Sequence, residues 1–147
     1  MDEETCCNCT DPHGPFNYET LVGKKCVSYA IGKQFLEDFD PGIAQVFSFL
    51  VTGGARTDAT HHYFLVYYHC ENCGSGGWIT CEYGADGKTA QWGKYKHTLD
   101  YYETGGMSMT LLEFADAWNS INKGPADYAA FGYNCQTFAR DLKRLVR

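Results

Sequence analysis

In the stretch YNCQTFARDL, residues 133–142, a cysteine stands between Asn134 and Gln136. From Cys135 onward the apolar residues fall at Cys135, Phe138, Ala139, Leu142, Leu145 and Val146, the spacing of an amphipathic helix that begins at the cysteine. Asn134 suits the N-cap position, because its side-chain oxygen can accept from the unbonded N–H groups of a first turn. Those donors favour negative charge, so a thiolate is favoured there over a thiol. A helix end supplies at most about 1–2 kcal/mol, roughly one pKa unit, so a reactive cysteine also needs a charged partner. The usual partner is an imidazole, which pairs with the thiolate and later protonates the leaving group.

The chain has five histidines. His61 and His62 open the run HHYFLVYY, residues 61–68, which is apolar on both parities and predicts a central strand covered on both faces. A histidine there would be held rigidly, although a structural histidine bonded to backbone has the same sequence appearance. A third group should orient the ring. On WITCEY, residues 78–83, alternation puts Trp78, Thr80 and Glu82 on one face and Ile79, Cys81 and Tyr83 on the other. Glu82 is therefore the candidate carboxylate, the alternative being an exposed strand residue near a turn.

The remaining cysteines suggest other chemistry. Cys70 and Cys73 form a Cys-x-x-Cys, and Cys6, Cys7 and Cys9 lie far upstream. Four such thiols could bind zinc tetrahedrally if the N-terminus folded back, but a lone Cys-x-x-Cys is half a site, so no metal is assigned. Cys26 and Cys81 fall within strand patterns and read as small buried hydrophobes.

Elements must bring these residues together. GKKCVSYAIG from Gly23 predicts a strand, and Asp40-Pro41 starts a helix whose face is Ile43, Val46, Phe47 and Leu50. After the strand at 61–68 and the polar loop ENCGSGG, WITCEY predicts a second strand of a meander. A turn at 85–87 leads into a third around TAQWGKYKH. Thr110 and Glu113 form a Thr-x-x-Glu capping box before a helix with Leu111, Phe114, Ala115, Trp118 and Ile121 on one stripe, ended by Lys123-Gly124-Pro125. This order implies an α+β fold, helices packed on a mostly antiparallel sheet.

Composition sets limits. At 147 residues, 44% hydrophobic and 16% aromatic, the chain is expected to be a single domain over 1–147, with 1–20 a polar, cysteine-containing segment. A net charge of −6 without a Lys/Arg cluster argues against nucleic acid as a partner. No run approaches 18 apolar residues, so no integral membrane anchor is expected. The acidic, polar start does not read as a signal peptide, which makes the expected location cytoplasmic and the cysteines thiols rather than a disulfide framework.

HYFLVYY, ITCEYG and YNCQTFARDL together resemble the circularly permuted NlpC-like branch of the papain-fold hydrolases, in which a strand histidine precedes a cysteine at a helix start. NCQTFARDL is similar to the helix motif of the lecithin:retinol acyltransferase group. The resemblance covers about residues 60–147 as a catalytic core. It implies Cys135 as nucleophile, His62 as base with His61 as the second choice, and Glu82 in the third position, which in lipid-acting relatives is often a second histidine. No cofactor is implied. The expected activity is hydrolysis of amide bonds, peptide or isopeptide, through a thioester. The alternatives are a lipid acyltransferase or phospholipase using the same pair, acting on an acyl substrate, and a non-catalytic zinc-binding or interaction module.

Overall fold

The computed structural model describes residues 14–35, 60–95, 99–129 and 132–147. A short helix α1 (Tyr18–Leu21), capped by Asn17, precedes β1 (Lys24–Phe35). There follow β2 (Thr60–Cys70), β3 (Gly76–Gly84), β4 (Gly87–Trp92) and β5 (Asp100–Thr110). Helix α2 (Leu111–Ser120), a 3-10 turn (Pro125–Asp127) and α3 (Cys135–Leu145) complete the described chain. The strands form one five-stranded sheet in the order β4-β3-β2-β1-β5, antiparallel at every pairing. The fold is thus α+β, with β2 in the middle of the sheet.

That position explains the composition of β2. On one face Phe64, Val66 and Tyr68 join Ile79, Cys81 and Tyr83 of β3, and are met by Phe114 of α2 and by Phe138 and Leu142 of α3. On the opposite face Tyr63 and Leu65 pack with Leu99, Trp78 and Tyr95. A strand buried on both sides needs apolar residues at both parities, which is why the run lacks alternation. Each fully buried Phe, Leu or Val here contributes about 1.5–3 kcal/mol over leaving it in water.

Turn chemistry fixes the meander. Gly84 and Gly87 pair across a two-residue turn, and Gly87 takes φ 99°, a conformation closed to most side chains. Gly77 allows a close approach in the β2–β3 pair, because a Cβ there would lie 2.6 Å from the hydroxyl of the fully buried Tyr68.

The third meander strand is shorter than TAQWGKYKH suggested. β4 ends at Trp92, and Gly93 at φ 101° turns the chain, its N–H donating to the Trp78 carbonyl at 2.7 Å. Sequence reading missed β5, whose DYYETGGMSMT has two adjacent glycines and a polar start. It also confined the core to residues 60–147, whereas β1 lies inside the sheet, paired with both β2 and β5. The helix expected from Asp40-Pro41 lies outside the described residues. The Thr110–Glu113 capping box is present: Glu113 N–H donates to Thr110 Oγ1 at 3.0 Å, and Thr110 N–H donates to Glu113 Oε1 at 2.9 Å. No described helix is long and apolar enough to cross a membrane.

Candidate active site

Cys135 is the first residue of α3, and Asn134 is its cap. Asn134 Oδ1 accepts from the N–H groups of Gln136 at 3.0 Å and Thr137 at 3.3 Å, while Asn134 N–H donates to Thr137 Oγ1 at 3.4 Å. The buried stripe Cys135, Phe138, Ala139 and Leu142 seats the helix on β2 and β3. The ring of Phe138 stacks on Tyr83 with centroids 5.5 Å apart. Packing of the helix thus pins its first turn against the start of β2, where the two histidines are.

Both histidines meet the sulfur. The side chains of His61 and His62 and the backbone of His62 all act on the Cys135 thiol, each favouring its thiolate. Only His61 is held by the carboxylate: His61 Nε2 and Glu82 Oε1 are 3.0 Å apart. The β2–β3 register decides this. Tyr63 lies opposite Glu82, so Glu82 shares a face with Tyr63 and therefore with His61, two residues along. Of the two candidate bases, His62 and the second choice His61, this register puts His61 beside the carboxylate. A slip of one residue would have reversed the assignment.

Behind His61, the Tyr63 ring packs edge-on at 4.7 Å and stacks in turn on Tyr95 at 4.2 Å. Tyr95 donates to Gln34 Oε1 at 2.8 Å, and Tyr63 donates to the same oxygen at 3.4 Å. The imidazole is therefore walled on one side and bonded at its edge. The ring of His62 instead meets Tyr102 edge-on at 5.4 Å and faces an open groove.

The electrostatics follow from this geometry. Burial pushes the Cys135 thiol up, but hydrogen bonds from His61 and His62 and the His61 charge outweigh it and bring the pKa down to about 6. Burial pushes His61 down, and its bonds to Cys135 and Glu82, with their charges, carry it up to about 9. Near neutral pH the pair is thiolate and imidazolium. Two other buried thiols behave oppositely: burial, then the Glu113 charge, raises Cys26 to about 12, and burial raises Cys81 further still. Burial alone makes a cysteine inert; the histidines reverse it at Cys135.

Tyr128 was not anticipated from the sequence. Its hydroxyl is buried near Cys135, and burial followed by the thiolate charge pushes its pKa well up, so it remains a protonated donor beside the sulfur. Its only signal in the sequence is that it is one of three aromatic residues, with Phe131 and Tyr133, in the connection between two helices.

Cys70 is buried and Cys73 exposed at the β2–β3 loop, where Cys70 N–H donates to the Ser75 carbonyl at 2.8 Å. Among the described residues no group of three or more His, Cys, Asp or Glu side chains could hold a metal. Cys6, Cys7 and Cys9 lie outside the described residues. No family model matches the chain, and no curated protein or solved structure matches it either.

Proposed function

We propose that the chain is a cysteine hydrolase of amide bonds, peptide or isopeptide, with a papain-like core of the circularly permuted NlpC type. The observation that carries this reading is the line Cys135–His61–Glu82, a helix-start thiol beside an imidazole that a carboxylate holds at 3.0 Å. With Nε2 on Glu82, Nδ1 is the nitrogen that would serve the sulfur. The substrate would be a peptide or protein.

In the first half-reaction Cys135 Sγ forms a bond to the carbonyl carbon, and the carbonyl electron pair moves onto oxygen. The N–H of Cys135 belongs to a first helical turn, whose donors point out of the helix end, and the Tyr128 hydroxyl is the second candidate donor to that oxyanion. His61 gives its proton to the leaving nitrogen as the C–N bond breaks, leaving a thioester on Cys135. In the second half His61 takes a proton from water, the hydroxide adds, and the thiolate leaves. Glu82 holds the ring in one tautomer and stabilises its charged form throughout.

The test is a comparison of iodoacetamide labelling with turnover. Cys135 should be alkylated ahead of the other cysteines at pH 7, and His61→Ala should slow hydrolysis by about 10²–10⁴-fold. Unchanged labelling and unchanged turnover in His61→Ala would overturn the hydrolase reading. An amide panel run beside lipid esters, with mass analysis of the group left on Cys135, separates amide hydrolysis from lipid acyl transfer.

A further inference from the structure

Alongside His62 runs an open groove of about 420 Å³ lined by Ile31, Lys33, Tyr102, Gln136, Arg140 and Lys143, with Glu103 at its wall. Gln136, Arg140 and Lys143 lie at i, i+4 and i+7 of α3, so the groove follows one helix face away from the residue next to Cys135. Its charge is opposite to that of the whole chain, which is −6. Lys143 is paired with Glu103 at 2.6 Å, and Tyr29 also donates to Glu103 at 2.8 Å, so that carboxylate is already neutralised. Arg140 also lines the groove; it is exposed and makes no ion pair among the described residues.

We propose that this groove selects an acidic peptide, one carrying a side-chain carboxylate within about two residues of the scissile bond. The proposal rests on Cys135 being the nucleophile. Five residues of helix separate Cys135 from Arg140, about 7.5 Å of axis, and helical side chains lean back toward the N-terminus. Two residues of extended substrate span about 7 Å, which brings a glutamate carboxylate to the guanidinium. A guanidinium beside a carboxylate can form a charge-assisted bidentate bond.

The experiment uses bromoacetyl-glycyl-glutamate amide and its glutamine counterpart, small electrophiles that alkylate Cys135 without requiring hydrolysis. Their tails are short enough to lie along the groove in either chain direction. The glutamate reagent should react roughly 3- to 10-fold faster at low ionic strength, the range for one or two partly exposed ion pairs, and the gap should narrow with added salt. Arg140→Gln should bring the two rates together and Arg140→Glu should invert them. Arg144→Gln, whose side chain pairs with Asp141 at 3.5 Å, should keep the preference.

Equal rates in the unaltered protein, absence of labelling by both included, overturn the proposal. So does a gain seen only with the glutamine reagent bearing a free C-terminal carboxylate, which would assign the groove to a chain end. A glutamate preference abolished by Arg140→Gln, in a protein that turns over no amide, keeps the groove and removes the hydrolase reading. Turnover of acidic and neutral peptides at equal rates does the reverse.

Discussion

At the scale of single residues, three of the four buried cysteines among the described residues ionise in opposite directions. Cys26 and Cys81 are pushed up by burial, and Cys135 is brought down to about 6 because two histidines reach it. Alkylation at Cys135 should therefore begin to rise near pH 6, below the ordinary thiol range of about 8.5, while Cys26 and Cys81 stay unlabelled in the native protein. Hydrolysis should follow a bell. It climbs as Cys135 loses its proton near pH 6 and falls as His61, the proton donor, loses its own near pH 9. Glu82→Gln keeps a side chain of similar shape but removes the charge that stabilises imidazolium, so the alkaline limb should move to lower pH. His62→Ala should leave that limb in place, since the His62 ring is not the one held by Glu82; a pH–rate series on both variants checks this.

At the scale of elements, much of the site could be read from sequence, since each piece is locally encoded. Asn134 before an apolar stripe announced a helix start, and the unbroken apolar run at 61–68 announced a strand buried on both faces. The choice between His61 and His62 was not local. It depends on the register of β2 against β3, set across a loop whose geometry no short-range pattern specifies. β5 was missed because its glycines hide a strand whose stability comes from pairing with β1, a non-local contact. The same division predicts two mutational outcomes. Phe138→Ala empties the contact with Tyr83 that seats α3 and should cost about 3–5 kcal/mol, lowering Tm by roughly 6–20 °C and eroding the selective labelling of Cys135. Thr110→Ala removes one cap of α2, away from the sulfur. It should cost about 1 kcal/mol by thermal melting while the labelling profile of the folded protein stays the same.

For the molecule as a whole, the candidate site draws on β2, β3 and α3, and the histidines that lower the Cys135 pKa come from β2, far in sequence from the helix that carries the sulfur. Its activation is a property of the tertiary structure, and reactivity should report on global folding. In a urea titration the enhanced labelling of Cys135 at pH 7 should vanish over the same range as the circular dichroism and tryptophan signals, leaving eight thiols of ordinary reactivity. Loss of the enhancement at a lower urea concentration would show that the start of α3 opens as a separate unit.

The order of the elements also governs when the candidate site can be assembled during synthesis. β1 needs β5 as well as β2 to complete its pairing, and the helix bearing the sulfur follows all five strands. His61 and Cys135 stand seventy-four positions apart, so at about 5–20 residues per second the ribosome delivers the thiol roughly 4–15 s after the imidazole. On the hydrolase reading proposed above, the nascent chain would carry a base, and then its carboxylate, before any nucleophile. On that reading the delay would do by chain order what a removable inhibitory segment does elsewhere, and a circular permutant that placed α3 first would lose it.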